Sequence, residues 1–362
     1  MKRLIPLVNY LVRAALLAFV ATSATLAHAL VININPVANG GLDISGSNAI
    51  TNAAQVLNAF NYAANQWENR FSDNVTLEIN ADFLNLGGAG IIGQAGSTML
   101  IGGFNLVRDA MVADHDAATE AVVAFLPTAA QFSGFIPVGF SFLNAISLTQ
   151  ANALALGFAR VTPTDALIEF NSSFAFDFDN TDGVTGTDFE TVALHEIGHA
   201  LGFVSSVDEI DFLIGQTGGP RAVAITPLDL FRFGSQNPST NAEFTTFARN
   251  LAPGTIQYFD DLDQELRFSS GVFNGDGRQA SHWKDDALTT VLIGVMDPTL
   301  GNNFISPITA ADTRALCVIG WDCAQLVAAV PEPVTLSLLG AGLAGIGLAR
   351  RRGAGIVPTT LR

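Results

Sequence analysis

Apolar positions along the first half of the chain follow two periods. Ala53, Val56, Leu57, Phe60, Ala64 and Trp67 recur every three or four residues and predict a helix over Asn52–Phe71. Val75, Leu77 and Ile79 then alternate with polar residues and predict a half-buried strand, Val75–Phe83. Helical patterns return at Ala117–Phe132 and Thr149–Leu156. A long strand is predicted over Ala166–Phe178, where Leu167, Phe170, Phe174, Phe176 and Phe178 supply apolar bulk. Helix and strand in this order, closed by one further helix, predict an open mixed sheet backed by helices, an α+β architecture.

The closing helix has the densest local signals. Val192, Leu194, Ile197 and Leu201 are its apolar positions, and Thr187 with Glu190 has the spacing of a capping box. Asp188 and Glu190 favour the positive end of the helix dipole. Gly202 stands where the chain can leave in a left-handed turn, so the predicted span is Asp188–Leu201. The acidic stretch Asp177–Gly183 before it reads as a solvated turn. As an EF-hand calcium loop its glycine would be one place late, with no Glu at the closing position.

The two ends read as addresses. Lys2, Arg3 and Arg13 precede or interrupt an apolar run, Ala14–Val20, and Ala27-His28-Ala29 gives a small-x-small cleavage pattern. Residues 1–29 are therefore expected to be a secretory signal peptide, the apolar run being too short to span a bilayer. Near the other end, Val330-Pro331-Glu332-Pro333 leads into an apolar stretch, Val334–Ala349, halted by Arg350-Arg351-Arg352. That pattern fits a short membrane segment with its positive end in the cytoplasm. The order Pro-Glu-Pro, apolar helix, arginine cluster resembles the PEP-CTERM sorting signal of Gram-negative bacteria. The resemblance implies processing by an exosortase-type enzyme, with membrane contact through the helix before processing. The expected layout is a signal peptide (1–29), a globular body (30–326), a linker with the Pro-Glu-Pro motif (327–333), a sorting helix with its arginines (334–353) and a tail (354–362).

Charge narrows the partners. Residues 1–29 and 350–362 hold seven of the seventeen Lys and Arg residues and none of the thirty-three acids, so the stretch between them carries a formal charge of −23. Such a body repels polyanions, which argues against nucleic acid or an anionic membrane surface as its partner. With 14% charged residues, 26 Phe and 34 Gly, it is expected to bury a substantial core rather than to be disordered. The two cysteines, Cys317 and Cys323, lie close together in an exported chain and are expected to form a local disulfide.

Within the capped helix stands His195-Glu196-Ile197-Gly198-His199. Residues four apart on a helix are surface neighbours, so both imidazoles can reach one Zn²⁺. Glu196 then sits where it can take a proton from water activated by the metal. Of the other histidines, His28 belongs to the signal peptide and His115, in Asp114-His115-Asp116, reads as a surface turn. Catalytic zinc normally takes three protein ligands and leaves a position for water. The compact spacing His-Glu-x-x-His-x-x-Gly-x-x-His fails here, because Ser205 occupies its last place. Asp208, Asp211 and His282 remain as candidates for the third ligand.

His282 lies in Ala280-Ser281-His282-Trp283-Lys284, and Gly294-Val295-Met296-Asp297-Pro298 follows. The succession His-Glu-x-x-His-x-x-Gly-Phe, a long insertion, Ser-His-Trp and a methionine turn resembles the leishmanolysin branch of the metzincin metalloproteases. That resemblance implies His195, His199 and His282 as zinc ligands, Glu196 as general base, and Met296 as the Met-turn residue beneath the metal. It also implies a zincin-like metalloprotease fold: a mixed twisted sheet with an active-site helix to about residue 204, then a smaller C-terminal subdomain, 205–326, with the Met-turn. Ile305–Trp321, opening a helix through Leu316, is similar to that family's closing helix. Phe231, Phe233 and Phe244 in the turn-rich insertion line either a substrate pocket or a local core. The expectation is an exported zinc endopeptidase acting on protein or peptide substrates. The alternative is a matrix or surface-associated structural protein with a non-catalytic zinc site.

Overall fold

The computed structural model describes residues 30–37, 53–87, 90–216 and 220–323; the expected signal peptide and sorting helix lie outside the described residues. Those described fall in one compact unit that ends at Cys323. No helix among them is long and apolar enough to cross a membrane.

Along the chain run β1 (Val31–Pro36), α1 (Ala53–Glu68), β2 (Thr76–Leu84), β3 (Gly93–Ser97), β4 (Met99–Gly103) and α2 (Phe104–Asp114). Next come β5 (Gly134–Phe135), β6 (Phe140–Thr149), α3 (Gln150–Ala155), β7 (Ala166–Asn171), β8 (Phe176–Asp177), β9 (Thr187–Asp188) and α4 (Phe189–Leu201). The principal sheet has the order β1-β2-β7-β3. Its first three strands are parallel, and β3 closes one edge antiparallel to β7. Leu77, Ile79, Ala81 and Phe83 of β2 alternate into the core, as do Ala166, Ile168 and Phe170 of β7. Helices α1 and α4 pack together there, joined by a hydrogen bond from Trp67 Nε1 to the Leu194 carbonyl at 3.0 Å. Phe170 meets Phe189 at the start of α4 at 4.6 Å between ring centroids, and Phe60 of α1 lies 5.3 Å from Phe170. Each such aromatic pair contributes about 0.5–1.5 kcal/mol beyond its buried area, so the first turn of α4 is firmly seated.

Beyond α4 lie α5 (Val207–Leu213), β10 (Arg221–Ile225), β11 (Arg232–Phe233), α6 (Asn241–Thr246), β12 (Arg249–Asn250), β13 (Tyr258–Asp260), β14 (Glu265–Arg267), α7 (Asp286–Thr289) and α8 (Ala310–Cys317). β10 joins β6 and β4 in a three-stranded sheet, and the short strands β14-β13-β11-β12-β5 form another. Phe231, Phe233 and Phe244 are fully buried against one another, and the Arg249 guanidinium lies over two of their rings. They make a local core of the insertion, not a pocket lining.

Several local expectations shift. The helix expected over Ala117–Phe132 does not form; only a 3-10 turn, Ala121–Phe125, appears there. Pro127 holds Leu126 at ψ 134°, the extended conformation imposed on a residue before proline. The helix stands earlier instead, as α2, where Phe104, Val107 and Met111 at i, i+3 and i+7 go into the core. The long strand expected to Phe178 breaks at Asn171, whose side chain accepts from the Ser173 amide and donates to the Ile91 carbonyl. The cap of α4 also moves by one residue. Thr187 is engaged in β9, and Asp188 is the N-cap, accepting from the Thr191 amide at 2.9 Å and its hydroxyl at 2.6 Å. Glu190 accepts instead from Asn180 of the acidic turn. That turn is closed by its own carboxylates, with Asp177 accepting from the Thr185 amide and Asp179 from that of Thr181. Cys317 and Cys323 are disulfide-bonded, with 5.6 Å between their Cα atoms, and Trp321 between them donates to the Leu201 carbonyl.

Candidate metal centre

Helix α4 presents His195 and His199 on one face, as their spacing requires. The third imidazole comes from far along the chain, on the segment that pairs Phe268 with Trp283. His282 Nε2 stands 3.0 Å from His195 Nε2 and 3.2 Å from His199 Nε2, and the two helical nitrogens are 3.1 Å apart. Ligand nitrogens about 2.0–2.1 Å from a tetrahedral zinc lie roughly 3.3 Å from one another, so this triangle has the size the ion needs.

The other ring nitrogens fix the tautomers. Each Nδ1 faces a carbonyl oxygen: Val295 for His195 at 2.8 Å, Phe203 for His199 at 2.8 Å, and Gln279 for His282 at 3.2 Å. A carbonyl only accepts, so each Nδ1 carries the proton and each Nε2 turns a lone pair to the centre. Three converging lone pairs repel unless a cation sits among them. Burial pushes all three imidazoles toward the neutral form: His195 is lowered, His199 falls to about 3, and His282 is well below its ordinary value. Neutral imidazoles in this tautomer are the ligating state.

Glu196, which follows His195 on α4, is buried, and burial raises its carboxyl to about 8. The edge strand β3 runs directly over it. A Cβ on Gly93 would lie 2.9 Å from Glu196 Oε1 and 3.0 Å from Val192 Cγ1, so a side chain there would displace the Glu196 carboxyl or the Val192 methyl. Met296 is fully buried beneath α4. Its thioether packs against Gly198, where an added Cβ would collide with the sulfur. The Met296 carbonyl accepts from the Trp283 amide at 3.0 Å, tying this turn to the residue after His282.

The rival third ligands are occupied elsewhere. Asp208 accepts from the amides of Ala280 at 2.6 Å and Ser281 at 3.0 Å and from the Ser281 hydroxyl. It holds the turn before His282 rather than joining the imidazoles. Asp211 accepts from the Phe273 and Asn274 amides, both at 2.8 Å. Ser205 donates to Asp229 at 2.6 Å, and His115 caps α2 with its ring on the Val112 carbonyl. Two other groups of potential ligands occur among the described residues. In the first, Glu120 with Cys317 and Cys323, the thiols are consumed by the disulfide. In the second, Asp285 and Asp297 accept from Arg278 and from the backbone amides of Ala287, Asp286 and Thr299.

Sequence reasoning missed Gly93 and Asp312. Gly93 left no signal, because the approach of β3 to α4 is set by the sheet. Asp312 is fully buried behind the Met296 turn, and Thr309 with Asp312 shows the capping-box spacing that the chain offered as a clue.

Residues 329–352 match the model of the PEP-CTERM protein-sorting motif. No curated protein and no solved structure matches the chain. The tail is therefore the sorting signal suggested by Pro331-Glu332-Pro333 and the arginine cluster. It marks an exported protein of the Gram-negative cell envelope, handled by an exosortase-type enzyme. Replacing Pro331, Glu332 and Pro333 with alanines is expected to leave export intact and to change the mature C-terminus in a host with an exosortase. An unaltered C-terminus by mass spectrometry would count against that role.

Proposed function

We propose that the body is a zinc-dependent endopeptidase of zincin-like fold, similar to the leishmanolysin branch of the metzincins. The observation that carries this reading is the convergence of three Nε2 lone pairs at a helix that also carries a buried glutamate. His195, His199 and His282 would hold the ion. A zinc ion bound there supplies a Lewis acid and lowers the pKa of a coordinated water toward neutrality. Glu196, whose carboxyl is raised by burial, would be held as the carboxylate by a cation at the three imidazoles.

Glu196 accepts the proton of the attacking water as the C–O bond forms at the scissile carbonyl carbon. It then gives that proton to the amine nitrogen as the C–N bond breaks. The edge strand can position the substrate. Thr98 donates to the Asp165 carbonyl at 2.8 Å and Asn171 to that of Ile92 at 2.9 Å, which sets the alternation of the β3–β7 ladder. Ile92, Gln94, Gly96 and Thr98 therefore bond inward, while Gly93 and Ala95 turn their N–H and C=O outward. An extended peptide pairing with those groups lies across Glu196. No tyrosine follows Met296. Asp297 stands there and accepts from the Asp286 amide at 2.8 Å, so the turn contributes no oxyanion donor from that side chain.

Purified protein is expected to hydrolyse casein, to lose the activity with its metal on chelation, and to regain it with about one zinc per chain. Zinc uptake without hydrolysis of casein or gelatin would favour the non-catalytic alternative.

A further inference from the structure

Asp312 does more than cap α8. Its Oδ2 accepts from the Thr309 amide at 2.7 Å and hydroxyl at 2.9 Å, which completes a capping box with Thr309. That box needs only local partners. The same oxygen also accepts from the Val295 amide at 2.9 Å. Oδ1 accepts from the Trp283 indole at 2.8 Å and from the Met296 amide at 3.2 Å. One fully buried carboxylate thus binds the neighbour of the third imidazole, both residues of the methionine turn, and the start of α8. Gly294 makes this possible, because a Cβ there would collide with the carboxylate.

These contacts are one bond removed from the imidazoles. Val295, held through its N–H, offers its C=O to His195 Nδ1 at 2.8 Å. Trp283, held through its indole, follows His282 directly and donates its amide to Met296. Its ring is wedged between Phe268, at 5.2 Å, and Phe203, at 4.9 Å. The indole bond to Asp312 fixes how far that wedge enters, and with it the height of His282 over α4.

We propose that Asp312 is a positioning residue for the metal centre: it sets the His282 segment and the Met296 floor against the active-site helix without touching the metal. The proposal rests on the metal-centre reading and deepens it. A group that orients a ligand from outside the coordination sphere typically changes metal affinity by about 10–100-fold when removed. A buried carboxylate that only stabilises the fold changes the melting temperature and leaves ligand geometry alone.

Asp165 provides the comparison. It is equally buried and accepts from the Glu78 amide, Gln150 and Arg160, each at 2.7 Å, away from the imidazoles. Full-length wild type, Asp312→Ala, Asp312→Asn and Asp165→Ala are loaded with cobalt(II), whose visible absorption reports ligand geometry. Zinc affinity is measured by competition with a chelator. Asp312→Ala is expected to weaken zinc binding by about 10–100-fold and to alter the cobalt spectrum. Asp312→Asn should recover part of the loss, since its amide oxygen still accepts. Asp165→Ala should melt earlier with both readouts at wild-type values.

Unchanged affinity and spectrum in Asp312→Ala, or in Asp312→Asn should the alanine variant fail to fold, overturns the proposal. An equal loss of affinity in Asp165→Ala overturns it too, by tracing the effect to general loosening. Wild-type protein that binds neither metal defeats the metal-centre reading instead. The role of Asp312 is then decided in metal-free protein by NMR of the His195 and His282 rings. Ring signals displaced in the Asp312 variant but not in Asp165→Ala support positioning, and ring signals equal to wild type overturn it.

Discussion

His282→Ala is expected to leave the purified protein with little bound zinc and almost no peptidase activity, whereas Asp208→Ala keeps about one zinc per chain. The contrast follows from geometry. His282 Nε2 closes a triangle with His195 and His199 at 3.0 and 3.2 Å, so its removal opens one full side of the site. Two imidazoles and water then replace three imidazoles, and the chelate closed by a distant chain segment is lost. Asp208 instead accepts from the Ala280 and Ser281 amides, so its loss loosens the approach to His282 but removes no ligand. Metal analysis of the two variants after dialysis separates these outcomes. Full zinc in His282→Ala with depleted zinc in Asp208→Ala would transfer the third-ligand role to the aspartate.

Helix α4 was legible in the sequence because several signals coincide within fifteen residues: an acidic start, apolar periodicity, two histidines four apart and Gly202 at the exit. Even so, the cap was misplaced by one position, because pairing of Thr187 with Phe176 in β9 claims that residue and leaves capping to Asp188. Periodicity misled at Ala117–Phe132, where apolar spacing was helical but Pro127 overrules it locally. His282 could be assigned only through family resemblance, since three candidates remained on the residues alone. The role of Asp208 was out of reach for a different reason. Its partners lie 72 and 73 positions away, and no local pattern records them. Asp312 is intermediate: its capping partner is three residues distant and readable, while its bonds to Trp283 and Val295 belong to the folded state alone.

Glu196→Gln is the second large effect and isolates chemistry from metal binding. Glutamine preserves side-chain length beneath Gly93, where space is limiting, and leaves His195, His199 and His282 untouched. It cannot take a proton from water at neutral pH. Removal of a positioned general base costs about 10²–10⁴ in rate, so hydrolysis should fall by at least that factor while the zinc content stays at the wild-type value. Purified wild type and Glu196→Gln, assayed side by side for zinc per chain and for casein hydrolysis, give the most direct test of a zinc endopeptidase. The account predicts equal zinc in both and hydrolysis in the wild type alone. Equal zinc with equal hydrolysis, or no hydrolysis by fully zinc-loaded wild type, would contradict it.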